Sequence, residues 1–259
     1  MASFTGSSIK DVYKDILHTS NSNTGISSTI KQITCGDGDT TALYLSDRNL
    51  KVQPSTDSTT NSVIYDANGN ALLTVDSTND LVKAGVGQHI VNTQYAHFGQ
   101  HYTDTAMIAG SHYAISYEHS AYEASLLMGT GTDPDTSLTI STTAQETLAH
   151  YWYIMDNITI DRVVWFSAAD AASGDTTRVH LMVYDIDTGN GSTGGDLSSG
   201  AVLADGSDVV NAGREQIYYQ QLTIGTANVD AGKVIMFCFR PDTINSDYTI
   251  NATIKYHLR

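Results

Sequence analysis

The chain has 259 residues, of which only 16% are charged, and it carries a formal net charge of −15. Its 13 basic residues are scattered with no two adjacent, so it lacks the clustered Lys and Arg that bind phosphate, and we expect no nucleic-acid partner. No apolar stretch approaches the ~18 residues of a membrane helix, and residues 1–10 lack the apolar core of a signal peptide, so we expect no membrane partner.

The N-terminal segment carries the helical pattern of the chain. Over Ile9–His18 the apolar side chains recur at helical spacing, and Ser7 or Ser8 can cap the first turn. About three turns are too short to be stable in isolation, so this helix must dock. We predict that residues 1–25 form a docking arm that attaches to a partner or a neighbouring subunit, with packing on its own chain as the alternative. The docking side chains are Ile9, Val12, Tyr13, Ile16 and Leu17.

Residues 19–94 repeat short apolar pairs between polar turns, and we predict an elongated β-stem over residues 26–94. Asn68-Gly69 indicates a hairpin, because both residues tolerate positive φ. Each strand offers two or three apolar side chains, too few for one copy to offset the entropy of ordering the chain. The pairs are Ile30/Ile33, Leu43/Leu45, Leu50/Val52, Val63/Ile64, Leu72/Val75 and Leu81/Val82.

A core shared around a common axis would stabilise such thin strands. We therefore expect a homo-oligomer with cyclic symmetry and favour a homotrimer, while the spacing by itself fits two copies as well as three.

The remaining sequence predicts an all-β chain with a C-terminal β-sandwich. Residues 95–125 are rich in Tyr and His and form a predicted transition segment. Residues 126–259 have the short, turn-separated strands of a jelly-roll-like head. The predicted strands are Ser137–Ser141, His150–Met155, Ile158–Ser167, Arg178–Ile186, Ala201–Ala204, Gln216–Ile224, Lys233–Arg240 and Tyr248–Arg259.

Catalytic and metal-binding patterns are weak, and we predict no catalytic residues, no cofactor and no metal. His97 and His101 are four residues apart but lack the Glu of zinc proteases. A threefold axis could turn one histidine into a three-histidine site, although aromatic packing and subunit contacts are the favoured roles. The loop 185–191 resembles the start of a calcium loop, but Asn190 and Asp196 occupy the positions of the expected Gly and Glu. No nucleophile elbow or phosphate loop is present, so we predict that the chain is not an enzyme.

Two aromatic runs are candidates for ligand contact. Tyr151, Trp152 and Tyr153 are consecutive, and Trp165-Phe166 forms a second pair. Exposed aromatic groups mark interaction sites and stack on sugars, whereas alternate members of a strand face the core. We predict Tyr151, Trp152 and Tyr153 as possible ligand contacts, with core packing as the favoured alternative.

Several stretches resemble virion structural proteins of marine tailed phages. They are residues 9–17, 21–26, 36–38 and 42–46 at the start, residues 63–76 in the stem, and residues 183–193 and 247–259 in the head. The resemblance implies a trimer with its amino end on the particle and its head outward, and it brings no catalytic residues.

These observations predict a non-enzymatic phage virion protein, a capsid decoration or head fibre whose partners are its own copies and a major capsid protein or tail component. The length is short for a tail fibre, which favours the capsid. The alternative is a tail fibre receptor-binding protein that recognises a host surface glycan; a third is a glycan-cleaving tail enzyme. Cys35 and Cys238 are expected to be free, which fits synthesis in a reducing host cytoplasm before incorporation into the virion.

Overall fold

The computed structural model describes residues 16–19, 25–102, 107–118, 126–141, 143–169, 173–189, 194–213, 216–242 and 248–259. The chain forms two compact units, Met1–Val91 and Asn92–Arg259. Both consist of antiparallel strands, so the predicted all-β class is confirmed. The trimer and the jelly-roll connections stay predictions. No helix in the described ranges is long and apolar enough to cross a membrane.

Two four-stranded sheets make up the described part of the first unit. The strands are β1 His18–Thr19, β2 Lys31–Thr34, β3 Thr40–Leu45, β4 Leu50–Val52, β5 Ser62–Tyr65, β6 Ala71–Asp76, β7 Leu81–Ala84 and β8 His89–Ile90. Each sheet is a meander, with the orders β1-β2-β3-β4 and β5-β6-β7-β8. The predicted hairpin at Asn68-Gly69 is confirmed: it joins β5 to β6, and Gly69 adopts a φ of 83°.

The first unit has almost no core. Ile33 is its one fully buried apolar side chain among the described residues. One buried side chain of this unit is instead ionic: the Asp76 carboxylate accepts hydrogen bonds from Lys83 Nζ at 2.8 Å and from Asn79 Nδ2 at 2.9 Å. These bonds, the one from Lys83 first, lower the pKa of Asp76 to about 2.

The described part of the second unit contains thirteen strands and one short helix. They are β9 Thr93–Tyr102, β10 Tyr113–Ile115, β11 Leu126–Leu127, α1 Ala144–Leu148, β12 Trp152–Tyr153, β13 Ile158–Ala169, β14 Thr176–Ile186, β15 Leu197–Asp205, β16 Val209–Val210, β17 Ile217–Gln221, β18 Thr223–Ile224, β19 Asn228–Val229, β20 Lys233–Pro241 and β21 Tyr248–Leu258. One sheet has the order β11-β10-β20-β14-β15-β18, with β12 on β20 and β16 on β14. The other has the order β17-β13-β21-β9, with β19 on β13.

These two sheets pack face to face around an aromatic core. Phe98 of β9 lies 6.0 Å from Phe237 of β20, and Phe239 lies 5.7 Å from Tyr248 of β21 (ring centroids). β21 pairs with both β13 and β9, so its alternating pattern, predicted from Tyr248 onward, places one apolar side in the core and one polar side outside.

The β20 strand is buried on both faces, which explains its nearly continuous apolar sequence. Ile235, Phe237 and Phe239 enter the core between the sheets. The alternate residues Val234, Met236 and Cys238 join a second buried cluster on the other side. Strands buried on both faces lose the polar alternation of half-exposed ones. Burial raises the pKa of the Cys238 thiol and keeps it neutral.

Three sequence predictions differ from the structure in detail. The predicted helix over Ile9–His18 lies largely outside the described residues, but its last residue, His18, pairs with Thr34 in a sheet. The predicted transition segment 95–125 contributes β9 and β10 to the two sheets of the second unit, because Ala96, Phe98 and Tyr102 point into the core. The predicted strand Ser137–Ser141 is reduced to a single bridge between Leu138 and Leu197.

Candidate functional site

A groove of about 500 Å³ opens beside β12 in the second unit. β12 lies against β20, with Trp152 opposite Ile235 and Tyr153 opposite Val234. Strand alternation therefore sends the two aromatic side chains to opposite sides: Trp152 is 6% exposed and Tyr153 is 49% exposed. Tyr151 is half-buried against the second core cluster, and its hydroxyl donates to the Gly195 carbonyl.

One wall of the groove is a cluster of aromatic rings that come from distant parts of the chain. Tyr117 stacks on Trp152 with an interplanar angle of 6° and a centroid distance of 6.1 Å. Tyr256 approaches Trp152 to 5.0 Å from β21, and Phe98 lies 5.3 Å from Tyr117 beneath them. Stacked and tilted rings at these distances are favourable. The cluster gives the groove a rigid apolar wall.

Polar groups at the same groove are hydrogen-bond donors and acceptors. The Tyr256 hydroxyl donates to Gln94 Oε1 at 2.8 Å. Burial, assisted by Glu118, raises the pKa of Tyr117 to about 12, and burial also raises the pKa of Tyr256, so both phenols stay neutral at physiological pH. Asp156 adds an acidic acceptor to the lining. Flat apolar rings beside amide, hydroxyl and carboxylate groups can hold a sugar ring by its apolar face and its hydroxyls.

The structure separates the predicted ligand contacts and adds others. Tyr151 chiefly covers the core, Trp152 forms the wall and Tyr153 the rim. Tyr117 and Tyr256 were not predicted as contacts. Two sequence features could have indicated them, since Tyr117 lies in the Tyr-rich segment and Tyr256 lies on the apolar side of β21. Only the fold, however, brings the two rings to Trp152. The second predicted aromatic pair splits in the same way, with Trp165 buried and Phe166 exposed.

The predicted docking residues fall mostly outside the described residues. Ile9, Val12 and Tyr13 lie there; Ile16 is half-buried and Leu17 is exposed. Their docking role stays a prediction.

The side chains considered as metal ligands from the sequence make hydrogen bonds and an ion pair with other residues. His97 Nδ1 is hydrogen-bonded to Thr253 Oγ1, and His101 Nδ1 to Thr249 Oγ1. In the calcium-like loop Asp185 is paired with Lys233. Within the described ranges, no group of three His, Cys, Asp or Glu side chains is placed to hold a metal ion.

A buried histidine pair is a feature that the sequence did not reveal. The rings of His112 and His180 are 5.0 Å apart. His180 Nε2 lies 3.4 Å from both Asp133 Oδ1 and Asp205 Oδ1, and Asp205 is also paired with Arg178. Burial lowers the pKa of His112, and it lowers the pKa of His180 to about 4 in spite of Asp205. His150, buried elsewhere, also has a pKa lowered to about 4 by burial.

Comparison with known proteins gives weak likenesses. No protein-family model matches the chain, and no curated protein matches it either. The solved structures that it resembles include "Structure of infectious bursal disease virus Gx strain", at TM-score 0.23 and 7% identity, covering 88% of this chain and 50% of that one. Another is "Structure of deformed wing virus carrying the GFP gene", at TM-score 0.17 and 8% identity, covering 64% and 44%. The chain thus spans half or less of each, and such scores do not establish a common fold.

The two aromatic neighbours in β12 should differ sharply in their effect on stability. Trp152→Ala removes a buried ring from the core and should lower the free energy of unfolding by about 3 kcal/mol or more. Tyr153→Ala should change it by less than about 0.5 kcal/mol, because the ring is largely in water. Denaturant unfolding followed by the remaining tryptophan fluorescence measures both; equal losses would contradict the assignment of wall and rim.

The buried histidines should make the second unit acid-sensitive. The pKa values of His150 and His180 in the folded protein lie below the ordinary 6.5. Below pH 6.5 these histidines therefore bind protons in the unfolded chain but stay neutral in the folded chain. Stability should therefore fall as the pH drops from 6.5 to about 4, by roughly 2–3 kcal/mol for each histidine, and this loss should level off below pH 4.

His180→Gln should flatten this dependence, because the variant has no imidazole at position 180 to be protonated in the unfolded chain. Denaturant unfolding at several pH values provides the test. Identical pH profiles for the wild-type protein and the His180→Gln variant would contradict it.

Proposed function

We propose that this chain is a non-enzymatic structural protein of a tailed-phage particle, a homotrimer that docks by its N-terminal arm and projects a β-sandwich head. The capsid decoration or head-fibre form is the favoured one, with a major capsid protein or tail component as partner. The observation that supports the proposal most directly is the pair of uncovered apolar sheet faces in the first unit.

The first of these faces belongs to the β1–β4 sheet. Leu43 is paired with Val52, and Leu45 with Leu50, so all four side chains point to one side. The other side presents polar groups, including Lys51, whose ammonium lies 5.0 Å from the centre of the Tyr44 ring. Although it lies on the apolar side, Leu50 is 65% exposed. Among the described residues of one copy, no apolar group buries Leu50 or Val52, which is 46% exposed.

The second face, on the β5–β8 sheet, repeats the arrangement. Ile64 is paired with Leu73, and Val75 with Val82, so these four side chains also share one side. Ile64 remains 59% exposed and Val82 42% exposed. A contiguous set of exposed apolar side chains on a sheet marks an interaction surface.

Further copies of the same chain are the partner that would cover both faces. Exposed sheets with so little buried apolar area do not offset the entropy of ordering the chain. Copies arranged around an axis would bring equivalent faces together and bury them in a shared core. The choice of three copies, and of a phage particle as location, comes from the sequence resemblance described above.

Substitutions on the two sides of one sheet test the trimer. Val82→Asp places a carboxylate on the apolar face and should dissociate or strongly weaken the trimer, because the charge would be buried between copies. Leu72→Asp, at nearly the same exposure of 43% but on the opposite side of the sheet, should leave assembly intact. Light scattering should give three times 27.9 kDa for the wild type; a stable monomer, or equal effects of both variants, would overturn the proposal.

The position of the chain in the particle has its own test. Hundreds of copies spread over the shell in an image of the whole virion would agree with capsid decoration. A handful of copies at the tail would favour the second candidate.

That second candidate is a tail fibre receptor-binding protein, and the aromatic groove favours it. A bound sugar ring would stack on the exposed rim and hydrogen-bond to Gln94 and Asp156. Tyr153→Ala should weaken binding about fivefold, the loss of about 1 kcal/mol of stacking. Tyr65→Ala, an exposed tyrosine of the first unit, should have no effect. An array of bacterial surface polysaccharides measures both variants; absence of binding by the wild type would remove this candidate.

A further inference from the structure

A second patch of exposed apolar groups lies on the second unit, on the side of the β17-β13-β21-β9 sheet that faces away from the core. We call it the outer sheet face. The outer sheet face comprises four rows of side chains: Ile217, Ala168, Thr249 and His101; Tyr219, Phe166, Asn251 and Gly99; Gln221, Val164, Thr253 and His97; Arg162, Lys255 and Tyr95. A further row on the same side, with Asn228, Thr159, His257 and Thr93, follows the bulge and is not counted in the outer sheet face.

One corner of the outer sheet face is strongly apolar although it is in contact with water. Ile217 is 77% exposed and Tyr219 is 53% exposed. The ring of Tyr219 lies 5.3 Å from that of Phe166, which is also exposed. Beside them lies a hollow of about 280 Å³, lined in part by Thr249 and Asn251. Protruding apolar groups next to a shallow hollow are the elements of a packed protein interface.

The outer sheet face carries positive but no negative side chains, although the chain as a whole is strongly acidic. None of its fifteen positions is acidic, in a chain with 28 Asp and Glu and a net charge of −15. The charged residues on it are Arg162 and Lys255, both in the last row. Carboxylates adjoin the face at its borders. Asp161 sits in the bulge beside the last row and is paired with His257 at 2.9 Å, and Glu118 lies at the edge of β9, where its backbone N–H donates to the His97 carbonyl.

This distribution of charge singles out another copy of the chain as the occupant. Two copies at −15 each repel one another over most of their surface. They can approach closely where carboxylates are absent, since like charges juxtaposed at an interface cost several kcal/mol. A face with an exposed apolar corner and no carboxylate among its fifteen positions, on an acidic chain, has the composition that self-contact requires.

We propose that the outer sheet face is the surface by which the second unit of one copy packs against that of another copy in the same oligomer. The inference rests on the proposed function, because the face is too small to act alone. Four strands spaced ~4.8 Å apart and four alternate rows cover roughly 450 Å², against about 800 Å² per partner in a stable complex. If the first units hold the copies together, the second units are present at a high effective concentration, and a face of this size is then sufficient for contact.

Cross-linking of the full-length chain tests the contact. In a Cys35→Ser background, Asn251→Cys places a thiol at the centre of the outer sheet face, and Ser198→Cys places one at an exposed position of the other sheet. With a short bismaleimide, which joins two thiols, Asn251→Cys should give covalent dimers, and Ser198→Cys should stay largely monomeric on a denaturing gel. Equal cross-linking of the two variants would overturn the inference.

A charge substitution gives an independent measurement. Asn251→Asp leaves the side-chain volume nearly unchanged but would bring like charges together around the axis. The oligomer should therefore dissociate at a protein concentration about tenfold higher or more than the wild type. High salt should reverse the effect, because it screens the repulsion. The matched control is Asn228→Asp, an exposed position of the same sheet outside the four rows; it should leave dissociation unchanged. Equal effects of the two would count against the face.

The outcomes separate this inference from the proposed function. An oligomer by light scattering with no cross-link at Asn251→Cys would overturn the contact and leave the structural role standing. A wild-type monomer would overturn both. If the Asn251→Cys thiol reacts freely with maleimide in the purified oligomer and is protected only in the assembled particle, the occupant is another virion component, and the inference is wrong.

Discussion

A β-sheet is stable only when its apolar side is covered, and the two units of this chain meet that requirement differently. In the second unit β20 is covered on both faces, by rings such as Phe98 on one side and by a cluster around Met236 on the other. In the first unit, Leu50 and Ile64 stay largely in water. The same physical rule that is met within the second unit is therefore not met by the described residues of the first unit, whose apolar side chains stay exposed.

The distribution of charge and aromatic groups divides the surface of the second unit. None of the fifteen positions of the outer sheet face is acidic, and the face carries the exposed rings of Phe166 and Tyr219. The groove at Trp152 combines stacked rings with Gln94 and Asp156. The first arrangement suits contact between like-charged copies, and the second suits a small polar ligand with an apolar face. Both can operate in one protein, because they occupy different surfaces.

Sequence patterns predicted most of the strands but little of the candidate site. The apolar run Val234–Phe239 predicted β20, and the alternation that begins at Tyr248 predicted β21. In both strands the predicted bounds lie within one residue of the observed ones. Thr93–Tyr102 was missed as a sandwich strand because its buried positions include Gln100 beside Ala96 and Phe98. The groove escaped prediction because Tyr117 and Tyr256 are 139 positions apart in the chain and meet Trp152 only after both sheets form.

The sequence by itself determined the all-β class, the thin apolar strips of the first unit and the acidic character of the chain, since period-two patterning, turn residues and composition are local properties. Tertiary structure decided which aromatic side chains share a groove, where His180 meets His112, and that no carboxylate falls on the outer sheet face. Those facts depend on strand order and register. A shift of one residue in pairing moves every side chain to the other face, and no local pattern encodes that choice.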